Sequence, residues 1–184
     1  DEEEIQRQTS INTSLCICEW NGHKINILDT PGYSDFVGDL ESAIRVADIV
    51  LLLVDASSGV EAGTEKAWFK ANNYGKPKVI FVNKVEKENA KFEETIQSIE
   101  SLGGKIVPLN IPIGIGPSFN GIVDLVRMKA FTKPDSGKKL QPADIPDDMQ
   151  DQVELFRERL IDAVAETNDE LLEKYLEGEE ITDE

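Results

Sequence analysis

The sequence predicts an α/β protein built on a mainly parallel sheet with flanking helices, followed by a smaller α+β part, and three observations carry that expectation. Apolar runs that end on a polar residue alternate with helix-spaced stretches as far as Gly104, the pattern of strands and helices in turn. Asn21-Gly22 sits between two strand-like runs and is a strong hairpin signal, because both residues accept positive φ. Beyond Gly104 the runs become alternating or interrupted by proline, which suits edge and half-exposed strands.

In chain order, Asp1 to Asn12 is polar and charged with no sustained period and reads as an extended or mobile arm, so residues 1–13 stand apart. Ser14 to Trp20 (SLCICEW) and His23 to Asp29 (HKINILD) read as two strands joined by the Asn-Gly turn, with His23 a surface strand residue. From Asp35 to Ala47, the residues Phe36, Leu40, Ala43, Ile44 and Ala47 share one face at helical spacing. Ile49 to Asp55 (IVLLLVD) is apolar without alternation, as in a parallel strand covered on both faces. Ser57 to Gly63 reads as a loop and Thr64 to Tyr74 as a helix carrying Ala67, Trp68 and Ala71, with Gly75 at its C-cap. Lys78 to Asn83 (KVIFVN) is a second buried strand, and Asn89 to Leu102 a helix with Phe92, Ile96, Ile99 and Leu102 inward, closed by Gly103-Gly104.

These elements place the first domain at residues 14–103 and the appendage at 104–184. In the appendage, Lys105 to Gly114 is broken by Pro108 and Pro112 and fits an edge strand or an extended segment, and Gly121 to Phe131 alternates like a half-exposed antiparallel strand. Thr132 to Gly137 is a turn. Pro146 to Ala165 is an amphipathic helix through Met149, Val153, Phe156, Leu160 and Val164, and a shorter helix runs from the N-cap Asn168 to Leu176, ended by Gly178.

A chain of 184 residues has room for one domain or for one with an appendage. No segment approaches the ~20 apolar residues of a membrane span and no signal peptide is visible, so no membrane contact is expected. The chain opens on Asp1 rather than Met and reads as an internal piece of something longer. The net charge of −17 argues against broad wrapping of a nucleic-acid backbone. From Gln141 on, 16 acidic residues face 3 basic ones, which reads as a solvated helical surface or, alternatively, as a docking face for a basic or amphipathic partner. Cys16 and Cys18 lie one residue apart on a strand, too close in backbone for a comfortable disulfide, and with a single His they argue against zinc. Two free thiols fit a reducing cytoplasm.

Ligands of open α/β sheets collect at strand C-termini, and three predicted strand ends carry suitable chemistry. At Asp29-Thr30-Pro31-Gly32, the carboxylate could hold a water on Mg2+ and the Gly32 N–H could touch a terminal phosphate. Asp55 ends the next strand. At Asn83-Lys84-Val85-Glu86, Asn83 can brace loops and the Lys84 stem can lie over a purine. The Glu86 carboxylate can accept both the ring N–H and the exocyclic amine of guanine, a match adenine does not offer. Either tetrapeptide alone is an ordinary turn; together, both at strand ends and about 50 residues apart, they form a guanine-nucleotide signature.

Longer runs narrow the reading: EWNGHKINILDTPGYSDF, VDASSGVEAGTEKAW, YGKPKVIFVNK, NIPIG with FNGIVDLV, and ELLEKYLEGEEIT. On these the chain resembles translation elongation factor G, and more closely the elongation-factor-G-like paralogues, over essentially its whole length. The resemblance implies an incomplete P-loop GTPase-type G domain with part of the G′ insert, binding GTP or GDP with Mg2+ and coupling GTP hydrolysis to a ribosomal step such as translocation. It implies that Asp29 to Gly32 begin switch II and that Asn83, Lys84 and Glu86 read guanine. It also implies that Ser10, in a switch I-like arm, meets Mg2+, and that the insert faces the ribosomal stalk proteins. Contact with ribosomal RNA would be left to parts absent here.

The departures from the family pattern are specific. Tyr33 stands where a His orients the attacking water, and a phenol, titrating near pH ~10, cannot act as a protonated imidazole would. Glu86 replaces an Asp and Gln8 a Gly. No G-x-x-x-x-G-K-[ST] occurs, nor the S-A-[LK] guanine loop, so the fragment itself is expected to be inactive and to bind nucleotide weakly or not at all. Without the P-loop strand the edge of IVLLLVD would stand unpaired, a route to self-association. The alternatives are a non-hydrolysing or very slow GTP-binding ribosome-associated regulator, motivated by Tyr33 and Glu86, and an ATP-dependent enzyme using Asp29 or Asp55 on magnesium, which Asn83-Lys84 disfavours.

Overall fold

Asn21 and Gly22 turn the chain with φ of 49° and 79°, and the strands they join, β1 (Ser14–Trp20) and β2 (His23–Asp29), pair antiparallel from Trp20 opposite His23 to Ser14 opposite Asp29. This two-residue loop needs left-handed backbone at both positions, which Asn and Gly supply at least cost. The computed structural model describes residues 2–33, 37–134 and 139–176, and the chain divides into two units, Asp1–Asn83 and Lys84–Glu184. Phe36, expected on the inner face of a helix, the turn residues 135–137 and Gly178 lie outside the described residues.

In the first unit the arm expected to be extended or mobile forms a short helix over part of its length, α1 (Glu2–Arg7). Its Glu, Gln and Arg residues are good helix formers, Arg7 pairs with Glu3 one turn back at 2.6 Å, and the Glu4 carboxylate accepts the backbone N–H groups of Ile11 and Asn12 at 2.8 and 3.0 Å. After the Asp29 loop come α2 (Val37–Val46), β3 (Val50–Asp55), α3 (Ala62–Asn73) and β4 (Lys78–Asn83).

β3 and β4 pair parallel, from Val50 opposite Lys78 to Asp55 opposite Asn83. They form the parallel part of the sheet structure; the hairpin is a sheet of its own among the described residues. The mainly parallel sheet is thus corrected to small, mixed sheets, because no described strand joins the hairpin to β3. A second correction concerns burial. Val50, Leu52 and Val54 are buried, but Leu51 and Leu53 are 59% and 61% exposed, and their neighbours Val79 and Phe81 are 48% and 55% exposed. The continuous apolar run therefore has one covered face, not two. α3 packs on β3 and supplies buried Ala67, Trp68 and Ala71, while the Lys78 ammonium sits 4.8 Å from the centre of the Trp68 ring.

α3 ends as its glycine predicts. Gly75 has φ of 61°, its N–H reaches the carbonyl of Asn72, and the Lys76 N–H reaches that of Ala71, both at 2.9 Å. This pair of bonds satisfies the last helical carbonyls.

The second unit opens with α4 (Phe92–Glu100), burying Phe92, Thr95, Ile96 and Ile99. Its sheet orders β5 (Asn110–Ile113), β6 (Gly121–Asp124), β7 (Lys129–Thr132) and β8 (Gln141–Ala143) antiparallel, with β5 at one edge as Pro112 requires. The single strand expected over Gly121 to Phe131 is a hairpin, because the Asp124 carboxylate accepts the N–H groups of Val126 and Arg127 at 3.0 Å each and folds the chain back. Ile111, Val123, Leu125 and Ala130 are 0–1% exposed. α5 (Gln150–Ala165) adds Val153, Phe156 and Leu160 to the buried set, and its Arg157 donates to the carbonyls of Leu125 and Val126 at 2.8 and 3.2 Å. α6 (Asp169–Leu176) is capped by Asn168, whose side-chain oxygen accepts the Glu170 N–H at 2.8 Å.

Gly75→Ala forces a side chain into left-handed backbone, at a cost of about 1 kcal/mol. Thermal denaturation is expected to show a midpoint lower by roughly 2–4 °C, and an unchanged or raised midpoint would contradict the C-cap assignment.

Candidate functional site

β2 delivers Asp29, exposed, to the open end of the hairpin, away from the Asn21-Gly22 turn. The turn that follows is anchored at its middle: Pro31 is buried, Thr30 is half-buried, and Gly32 and Tyr33 are exposed. Proline needs no hydrogen bond for its nitrogen, so it can be buried here without leaving a donor unsatisfied. Tyr33 projects 62% of its surface outward. A carboxylate, a glycine N–H and a phenol thus follow one another on the accessible side of a fixed turn.

The arm with Ser10 lies at the same end of the hairpin. Ser10, half-buried, lines a cavity of about 340 Å3 with Glu4, Ile5, Gln8, Thr9 and Ser14, and Ser14 is the strand partner of Asp29. Thr13, next to Ser14, buries a hydroxyl oxygen that has no hydrogen-bond partner. This end of the hairpin therefore gathers hydroxyls and a carboxylate, hard oxygen ligands of the type that suit Mg2+. Glu4 holds the arm in place. The N–H groups of Ile11 and then Asn12 stabilise its carboxylate, which lowers its pKa from 4.5 to about 2.

Asp55 and Asn83 stand side by side at the C-terminal ends of β3 and β4. The Asn83 carbonyl accepts the Ala56 N–H at 2.8 Å, and the Asp55 carboxylate accepts the backbone and hydroxyl of Ser57 at 2.8 and 2.5 Å. Asp55 is therefore engaged in shaping its own loop. Lys84, the next residue in the chain after Asn83, takes φ of 61°, and its carbonyl accepts the Lys87 N–H at 3.1 Å. Left-handed backbone at a lysine costs on the order of 1 kcal/mol, and such conformations gather at functional sites. Lys84 and Glu86 are both exposed on this turn of the second unit.

Two features went unseen in the sequence. The Glu41 carboxylate of α2 pairs with the Lys70 ammonium of α3 at 2.5 Å and accepts the Tyr74 hydroxyl at 2.9 Å. Lys70, then Tyr74, lowers the pKa of Glu41, and the bond to Glu41 raises that of Tyr74. Only their separation on two predicted helices hid this link; opposite charges 29 positions apart carry no local signal. The other is Gly63, expected in a loop but found in the first turn of α3, beside the Gly32 carbonyl.

The family model for the elongation factor Tu GTP binding domain matches residues 1–182. The chain belongs to that family. A solved structure from Thermus thermophilus aligns with a TM-score of 0.89 and 33% identity, covering 100% of this chain and 27% of the other. The α/β arrangement of this family member is thus that of a guanine-nucleotide-binding G domain, and the chain spans about a quarter of the length of its Thermus neighbour.

The Glu4 bonds give a pH dependence with a defined sign. A carboxylate whose folded pKa is depressed contributes stability that is present above its unfolded value and is lost as pH falls through the folded one. The amide-proton shifts of Ile11 and Asn12 are expected to titrate with a midpoint close to the Glu4 value of about 2; Glu4→Gln should abolish that titration. A midpoint at the ordinary glutamate value would refute the clamp.

Proposed function

We propose that the chain is the guanine-nucleotide-sensing portion of a translational GTPase of the elongation factor G type, acting in the cytoplasm at a ribosomal step such as translocation. The observation that carries this reading is the placement of Asp29-Thr30-Pro31-Gly32 and of Asn83, followed by Lys84 and Glu86, at the C-terminal ends of β2 and β4, in a chain of the elongation factor Tu GTP binding domain family.

In this reading Asn83, Lys84 and Glu86 hold the base: Glu86 accepts the two guanine N–H groups, and Lys84 lies over the ring. Ser10 and, through a water, Asp29 hold Mg2+, which neutralises charge on the phosphates. Gly32 offers its N–H to the terminal phosphate, with Thr30 and Pro31 fixing the turn. The phosphate-cradling lysine loop does not occur in the 184 residues, so full affinity is ascribed to the longer protein.

Tyr33 favours a second reading. It occupies the place of the water-orienting residue with a group that makes one hydrogen bond and carries no positive charge near neutral pH. A protein with this residue would bind GTP as a conformational ligand and hydrolyse it slowly or not at all. Ribosome-stimulated GTP turnover by the full-length protein distinguishes the readings, and Tyr33→His is expected to raise turnover at least tenfold. No gain from the substitution would count against a limiting role for Tyr33. GTP-over-ATP competition tests the assignment of Glu86.

We further assign the second unit, with its acidic α5, to the G′ insert and to contact with the ribosomal stalk proteins, ribosomal RNA being met by other parts of the longer protein. The 184-residue chain alone is expected to lack GTPase activity and to self-associate. The edge of β3 opposite β4 has no strand partner among the described residues, and Leu51 and Leu53 of β3, with Val79 and Phe81 of β4, form an exposed apolar face on this sheet. Light scattering should give a mass above the monomer, reduced by Leu53→Lys; a monodisperse monomer would overturn the expectation.

A further inference from the structure

We propose that Gly63 is a positioning residue for the phosphate-sensing turn: the bare first turn of α3 leaves the space into which the Gly32 peptide must move when the turn engages a terminal phosphate. The inference rests on the reading of Asp29 to Gly32 given above and adds a residue to it.

Three observations carry it. A Cβ built on Gly63 would lie 3.4 Å from the Gly32 carbonyl oxygen, so the α3 backbone and the turn are already in near contact at this point. Gly63 has no positive φ of its own, so its backbone does not ask for glycine, and inside a helix alanine is the better former. What glycine supplies here is room. Gly38, the other glycine in a helix of the first unit, has nothing within 4 Å of its would-be Cβ and thus no such contact.

The turn itself is anchored on one side and free on the other. Pro31 is buried, and nothing lies within 4 Å of a Cβ on Gly32. The Gly32 N–H belongs to the peptide that joins it to Pro31; with Pro31 anchored and its φ fixed, that N–H is redirected by rotation about the Pro31 Cα–C bond, which carries the rest of Gly32 with it. The Gly32 carbonyl swings with that rotation, and Gly63 is the surface it meets. A side chain at 63 that extends beyond Cβ fills that space. It would hold the turn away from the orientation that donates to a terminal phosphate, while leaving the base-reading residues at the end of β4 untouched. A methyl group at 3.4 Å is an ordinary contact and is tolerated.

The test is a series of Gly63→Ala, Gly63→Val and Gly63→Leu in the full-length protein, with affinities measured for GDP and for a non-hydrolysable GTP analogue. GDP has no terminal phosphate for Gly32 to reach, so it reports folding and base recognition, and the ratio of the two affinities isolates the turn. Gly63→Ala should keep the wild-type ratio. Gly63→Val and Gly63→Leu should lower the preference for the GTP analogue by about tenfold or more, the loss expected when one hydrogen bond to a charged group is removed, with GDP affinity held. Should Gly63→Leu fail to fold, the smaller Gly63→Val carries the comparison. If the wild type binds guanine nucleotides and Val leaves the ratio unchanged, or if GDP and GTP-analogue affinities fall together, the positioning role is overturned. If the wild type binds neither nucleotide, the functional reading falls and this inference with it.

Discussion

The parallel pairing of β3 with β4 is the constraint from which the first unit is built. Parallel strands cannot be joined by a tight turn, so α3 must carry the chain back across the sheet. In doing so it buries Val50, Leu52 and Val54 on one side. The same register brings Asp55 and Asn83 level at the strand ends, where their loops diverge. Asp55 turns inward to hold Ser57, and Asn83 hands the chain to the left-handed Lys84. The chemistry at the strand tips is thus a by-product of how a two-stranded parallel sheet has to be connected.

Much of this was legible because it is encoded locally. The Asn21-Gly22 turn, the Gly75 cap and the Asn168 cap each depend on conformations or side-chain bonds available to a few residue types, and each formed where those residues stood. The Asp29 and Asn83 motifs were readable for the same reason, as strand ends followed at once by turn chemistry. What failed was inference about partners distant in sequence. VLLLV looks like a strand covered twice, and composition does not tell which coverings lie within reach; here α3 supplies one. The run from Gly121 to Phe131 alternates as one strand would, and only the bonds from Asp124 to the following amides reveal that it folds back. The arm was polar enough to suggest disorder, yet Glu4 reaches seven residues ahead to order it.

The candidate site was legible in its identities and less so in its supports. Asp29, Gly32 and Tyr33 emerge accessible as their chemistry asks, but the turn's surroundings are set by a buried proline and by a glycine of α3 that lies beside it. Neither has a functional group, so neither attracts notice when a sequence is searched for reactive side chains. Ser10 gives the complementary case: its chemistry was readable, while its placement near Asp29 follows from the helical arm and from Ser14 pairing with Asp29 across the hairpin.

The bridge from Glu41 to Lys70 and Tyr74 has a mechanical consequence. It fastens α2, the helix into which the Asp29 turn leads, to α3, the helix against which Gly32 rests. A displacement of the turn would therefore be felt at both ends of a braced frame instead of dying out in a loose segment. The two helices that flank the turn thus share one carboxylate, so a load placed on either would reach the other through Glu41.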